Sequence, residues 1–238
     1  MFSPGTPDLA LRMVAFLAGG RPPGDRVFRT VLVDTSHSGA SFFEYMGTGR
    51  QPSWQRFEEF YLSFARLGMM PLAGDIADIN AARPASLVIV NPRGPLAGDE
   101  TECMRDFVSG GGRLLVLDTI MNSGSIANEM VRSFGLGVVA RPMAAMGGGP
   151  KTARARGVGR RPGLDPVLEI VGGETMLADS TGRVMVARAA YGAGEVLVAV
   201  DSYAYSEAGL GRPLQPASAY ESCLPRYRAL FHLLGRLR

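Results

Sequence analysis

Along the first 140 residues, short apolar runs alternate with segments of helical period. "VFRTVLVDTS" (27–36) has a nearly continuous aliphatic centre, the pattern of a strand covered on both faces. "SLVIVNP" (86–92) and "RLLVLDT" (113–119) repeat that pattern, and "MMPLAG" (69–74) reads as a shorter strand. In "SWQRFEEFYLSFARLG" (53–68), Trp54, Phe57, Tyr61, Phe64 and Leu67 recur at three- and four-residue spacing. This predicts a helix capped by Ser53 and closed at Gly68. "DIADINAA" predicts a short helix, "GDETECMRDFVSGGG" (98–112) a helix with acids at its start and a glycine stop, and "SGSIANEMVRSFGL" (123–136) a further helix. Strands and helices in alternation with short connections predict an α/β fold, a mostly parallel central sheet with helices on both faces.

The flanks read differently. Thr6-Pro7-Asp8 opens a predicted helix that stops at Gly19-Gly20, and with the linker "RPPGDR" it occupies 1–26, ahead of an α/β core at 27–141. Residues 142–165 form a basic, Gly-rich loop, since between Glu129 and Asp165 there is no acid. The last portion, 166–238, is β-rich: "PVLEIV", "TMLAD", "RVMVARAAY" and "GEVLVAVDS" are short strands with tight turns. It ends in an amphipathic helix, "CLPRYRALFHLLGRLR", expected to pack back on the sheet. The 238 residues suit one large domain.

Composition removes several functions. Hydrophobic residues make up 46% and charged residues 20%, ordinary values for a globular chain. A net charge of +3 is too small to imply nucleic acid. Lys151 is the only lysine, which reads as a composition bias towards arginine. Cys103 and Cys223 are far apart and make neither a disulfide framework nor paired zinc ligands. "LALRMVAFLA" is too short to span a bilayer and lacks the features of a signal peptide. The expected setting is cytoplasmic, or membrane-associated as part of a larger assembly.

Taken in order, "VLVDTSHSG", "LVIVNPRGPLAGDETECMRDFVSGGGRLLVLDT" and "NSGSIANEMVRSFGL" resemble a family of class I glutamine-amidotransferase-like domains. This branch includes gliding-motility transport accessory proteins, an intraflagellar-transport subunit and a bacterial domain of unknown function found beside membrane segments. The shared features are a first strand ending in Asp-x-Ser-His, a Pro-ended second strand and an acidic helix running into "FVxxGGxLLVL". An Asn, here Asn128, then precedes the triplet Phe134-Gly135-Leu136. "YGAGEVLVAVDSYAYSEAGLG" fits the family's late hairpin and strand. The resemblance covers about 27–140, and more loosely 184–238. It implies a flavodoxin-like three-layer sandwich. It also implies a module that binds partners or ligands and lacks the Cys-His-Glu triad. The Arg-rich central loop and the N-terminal helix have no counterpart in that pattern.

The residues agree with that expectation. An amidotransferase needs a Cys on the turn after a central strand, but "RLLVLDT" is followed by Ile120, Met121, Asn122 and Ser123. Cys103, Cys223 and His232 fall within or beside predicted helices. No nucleophile elbow is present; Ser123 and Ser125 stand nearest to one and read first as helix caps. What remains is a polar set at the strand ends: Asp34, Ser36, His37, Asn91, Arg93, Asp118, Asn122 and Asp201. Open parallel sheets bind ligands beyond such ends, and the same residues also tie down loops. With Asn128 they form the candidate ligand site.

No ligand spacing supports a metal, and neither "GGGPKT" nor "GVGRRPG" is a phosphate or dinucleotide fingerprint, so no cofactor is expected. The basic run Lys151, Arg154, Arg156, Arg160 and Arg161 reads as a solvated loop, or as a contact for an acidic partner or anionic surface. Interleaved aromatics, which nucleic-acid binding would use, are missing there. The expected function is a non-catalytic module for a protein partner or a small polar ligand, or else a subunit of a larger assembly. The alternative is a hydrolase in which Asp34 orients His37 as general base and a serine, Ser123 among the candidates, or a water attacks. That alternative requires His37 to reach both Asp34 and a nucleophile facing an open cleft.

Overall fold

The computed structural model describes residues 29–42, 51–142, 166–211 and 217–237. The N-terminal helix and the basic run at 151–161 expected from the sequence lie outside the described residues.

Strands β1 (Arg29–Asp34), β2 (Met69–Gly74), β3 (Ser86–Val90) and β4 (Arg113–Leu117) fall on the predicted apolar runs. They join one seven-stranded sheet of order β2-β1-β3-β4-β9-β8-β7, where β7 is Glu174–Ala178, β8 Val184–Tyr191 and β9 Gly194–Ala199. β9 runs parallel to β4, while β8 and β7 are antiparallel. β5 (Gly137–Pro142) and β6 (Pro166–Val171) form a separate antiparallel pair. The β-rich portion therefore extends the central sheet and adds a small second one. The tight turn from β8 to β9 uses Gly192 in the left-handed region, with Tyr191 opposite Gly194.

Strand side chains alternate between two cores. Val31, Val33, Val88, Val90, Leu115 and Leu117 face one side. There they meet Phe60 and Phe64 of α1 (Glu58–Arg66) and Leu230 and Leu234 of the last helix (Ala217–Gly235). Leu32, Leu87, Ile89, Leu114 and Val116 face the other side. There they meet α2 (Ile79–Ala82), α3 (Gly98–Ser109) and α4 (Ala127–Arg132). A short α5 (Glu207–Leu210) precedes the last helix, α6. Burial on both faces is why the strands read as continuous apolar runs.

Two predicted helices begin late. Ser53–Gln55 is a 3-10 turn, and α1 starts at Glu58 with no side-chain cap, so Ser53 does not cap it. Ser41 N donates to Gln55 O and Phe57 N donates to Ser41 O, which draws 55–57 out of helical geometry. The buried side of α1 is consequently Glu59, Phe60, Ser63 and Phe64, while Trp54, Tyr61 and Leu67 are only half-buried. Glu59 is buried as an ion pair with Arg66. In the 123–136 segment, Ser125 is bridged to Arg93, and the helix starts only at Ala127.

Phe60 stacks edge-on with both Phe57 and Phe64 and has no solvent exposure. Phe60→Ala is expected to lower unfolding free energy by about 3–5 kcal/mol, read from denaturant midpoints. A loss below about 1 kcal/mol would mean that this helix face is not packed on the sheet.

Candidate functional site

The chain goes from β1 to β2 on one side and to β3 on the other, so strand order reverses between β1 and β3. In open α/β sheets the ligand crevice lies at such a switch point, beyond the carboxyl ends of the strands. Asp34, Asn91 and Asp118 end or directly follow β1, β3 and β4, and all three are fully buried.

Asp34 organises the first loop. Its Oδ1 accepts the Ser36 hydroxyl at 2.8 Å and its Oδ2 accepts the His37 amide at 2.8 Å. Burial is the main influence on this carboxyl and pushes its pKa above the ordinary 3.8, against the pull of those bonds and of His37. His37 is 8% exposed, and its ring is held on both sides. Nδ1 lies 2.9 Å from Ser36 Oγ and 3.6 Å from Asp34 Oδ1, while Nε2 lies 3.3 Å from Glu100 Oε2. Because the Ser36 proton goes to Asp34, Nδ1 meets an oxygen lone pair, and Nε2 meets a carboxylate. The ring is therefore held on its Nδ1 side by Ser36 and Asp34 and on its Nε2 side by Glu100. Glu100 Oε2 also accepts the Ala97 amide at 2.8 Å at the start of α3, so one carboxylate caps the helix and clamps the loop.

The loop then closes over the end of β3. Arg93 N donates to His37 O, Gly39 N donates to Asn91 O, and Val90 N donates to Ser38 Oγ. Gly39 is required there, because a Cβ would lie 2.8 Å from Asn91 O and from the Arg93 side chain. Asn91 adopts φ 52, a conformation that asparagine tolerates better than most residues. Its Oδ1 accepts Ser202 Oγ at 2.6 Å, and its buried Nδ2 has no hydrogen-bond partner among the described residues.

Asp118 organises a second knot. Oδ1 accepts Asn122 Nδ2 at 2.9 Å and Oδ2 accepts Ser125 Oγ at 2.5 Å. Arg93 Nε donates to Asn122 Oδ1 at 2.6 Å, which ties the β3 loop to the β4 loop. Burial again raises the Asp118 pKa, opposed by these bonds and by Arg93. Ser125 Oγ also accepts the Ala127 amide, so it braces the start of α4 as the sequence suggested.

Of the sequence candidates, Asp34, Ser36 and His37 form one cluster and Arg93, Asp118 and Asn122 the other, with Asn91 between strands β3 and β9. Asp201 is half-buried beside charged Arg183 and Arg226. Burial raises its pKa, and together with burial it pushes the Tyr205 hydroxyl up to about 12. Asn128 is exposed in the first turn of α4, where its Oδ1 accepts the Val138 amide and holds β5. Ser123 is exposed on the turn before α4. Cys103 lies on α3 and Cys223 on α6, and they form no disulfide. Glu100 and Ser202 were absent from the sequence candidates. Glu100 read only as an acid in a helix first turn, and Ser202 only as the end of a strand. Among the described residues there is no cluster of side chains suited to a metal, and no helix is long and apolar enough to cross a membrane.

No protein-family model matches the chain, and no curated protein matches it. Among solved structures, the chain is similar to the mmIFT52 N-terminal domain, with a TM-score of 0.50 and 12% identity over 84% of this chain and 96% of that one. A cytoplasmic protein from Salmonella typhimurium LT2, STM1381, aligns with a TM-score of 0.45 and 13% identity over 84% and 99% of the two chains. A β-galactosidase from Rahnella sp. R3 aligns with a TM-score of 0.42 and 14% identity over 95% of this chain and 34% of that one. At these identities the likeness to the mmIFT52 domain is one of fold. It fits, in part, the intraflagellar-transport branch of the sequence resemblance.

The raised Asp118 pKa has a consequence for stability. Its contribution is fully present below the ordinary value of 3.8 and is lost as pH rises through the raised folded value. Asp118→Asn keeps an acceptor for Asn122 and offers Ser125 a donor. The variant should therefore gain stability relative to wild type as pH rises from about 4 towards neutrality. Denaturant midpoints at a series of pH values measure this, and a relative loss over that range would contradict the assignment.

Proposed function

We propose that the chain is a non-catalytic binding module, one domain of flavodoxin-like, glutamine-amidotransferase-like type, whose recognition surface is the carboxyl edge of the sheet. The binding residues are Asp34, Ser36, His37, Asn91, Arg93, Asp118, Asn122 and Asp201 together with the loops they hold. The order of the parallel strands, β2-β1-β3-β4-β9, supports the flavodoxin-like assignment, being 2-1-3-4-5 when those strands alone are numbered. The observation that carries the non-catalytic reading is the His37 ring. A general base needs one ring nitrogen free to accept the nucleophile's proton. Here the Ser36 proton is directed to Asp34, and the other ring nitrogen faces Glu100.

Exposed Ile120 and Met121 after β4, and Tyr203 after β9, favour a protein as the partner, because apolar side chains on polar loops are the anchors that protein interfaces use. Such a module would work within a larger assembly, in the cytoplasm or beside a membrane.

The hydrolase reading has one observation in its favour. Ser36 Oγ, His37 and Glu100 stand in line at 2.9 and 3.3 Å, the order of nucleophile, base and orienting acid, with Glu100 where Asp34 was expected. A fluorophosphonate probe with mass-spectrometric mapping separates the two. The expected result is no labelling of Ser36 and no ester turnover in wild type or His37→Gln. Stoichiometric labelling of Ser36 that His37→Gln abolishes would establish the hydrolase instead.

A further inference from the structure

Away from the carboxyl edge, two cavities open along α3. One, of about 700 Å³, lies between α3 and the α2 turn, and its wall carries Asp99, Glu102 and Asp106. The other, of about 460 Å³, lies at the amino ends of β1 and β4 and carries Arg29 and Arg113. Both include Pro84, Phe107 and Gly110, so they are two lobes of one groove.

The lobes have opposite electrostatic character. Positions 99, 102, 103 and 106 recur at three- and four-residue spacing and share one face of α3. Three carboxylates there stand against one arginine, Arg83. Glu102 and Asp106 are exposed, and no hydrogen bond or ion pair among the described residues engages either carboxylate. The half-buried Cys103 thiol senses the same field. Burial first, and then Asp106, Asp99 and Glu100, hold its pKa above the usual value. At the other lobe Arg113 has a partner in Glu195 at 3.3 Å, while Arg29 is exposed. Between them stand Pro84 and the half-buried Phe107, which both lobes share. Ile79 is buried at the acidic lobe, and the Phe107 ring covers Gly112 so closely that a Cβ would lie 2.4 Å from it.

We propose that this groove docks an extended segment of a partner protein, with a basic side chain over Asp99, Glu102 and Asp106, an apolar one on Phe107 and an acidic one at Arg29 and Arg113. Helix α3 rises about 16 Å from Asp99 to Gly110, which matches about five extended residues. A single small ion would engage one lobe only; a short peptide with opposite charges at its two ends engages both. The arginine lobe lies away from the carboxyl edge, since Arg29, Ala85 and Arg113 lie at the opposite ends of the same strands, while Asp99 at the acidic end adjoins Glu100 of the His37 cluster.

The test is panning of a displayed random-peptide library against the full chain. The enriched peptides should carry basic and acidic residues at opposite ends of an apolar centre. Their affinity should fall about ten-fold or more for Glu102→Lys/Asp106→Lys and stay unchanged for Leu177→Ala, an exposed position on β7 outside both surfaces. Both substituted carboxylates are exposed, so circular dichroism should match wild type. Failure to enrich such peptides, or equal binding to the double variant, overturns the proposal. Concentration-dependent dimerisation that the double variant abolishes would also overturn it, by assigning the groove to a second copy of the chain.

Discussion

Asp34 ends β1 with no contact to solvent, and both its oxygens are taken by the chain that follows, one by the Ser36 hydroxyl and one by the His37 amide. A buried carboxylate is tolerable only when its lone pairs are used, and using them bends the chain back over the sheet. That bend sets His37 O against Arg93 N and Gly39 N against Asn91 O, so the β1 and β3 loops fasten to each other. Arg93 then reaches Asn122, which donates to Asp118 at the end of β4. Three strand ends are thereby linked through backbone bonds and two buried aspartates, and each contact presupposes the one before it.

Much of the scaffold was legible in the sequence because both faces of the central strands are covered. Leu87–Val90 and Leu114–Leu117 have no exposed residue, so nothing polar interrupts the runs that mark them. The start of α1 was not legible. The apolar spacing from Trp54 is helical, but the backbone of Ser41, distant in sequence, pairs with Gln55 and Phe57 and overrides it. The placement of β9 beside β4 is likewise a long-range pairing that local pattern does not encode, whereas the β8–β9 hairpin is local.

At the site, the strand-end aspartates and His37 were visible because few polar residues follow those apolar runs. Their partners were not. Glu100 sits in a helix first turn where an acid is expected for the helix itself, and its second use, facing His37 Nε2, depends on how α3 is set against the β1 loop. Asn128 shows a different use. A family pattern singled it out, but its amide oxygen serves β5, because the helix that carries it begins only at Ala127.

Cross-bracing of this kind bears on what the edge can do. Catalysis by a serine and a histidine needs a ring nitrogen that exchanges a proton during the reaction, whereas the His37 ring is braced between Ser36 and Glu100. Binding gains from fixed struts, because loops already ordered lose less entropy when a partner arrives. The exposed Ile120 and Met121 stand on the turn leading into Asn122 and Ser125, the residues bound to Asp118. Tyr203 follows Ser202, whose hydroxyl is held by Asn91. The exposed apolar side chains are therefore carried on the segments that the buried polar network holds, and the proposed recognition surface rests on that arrangement.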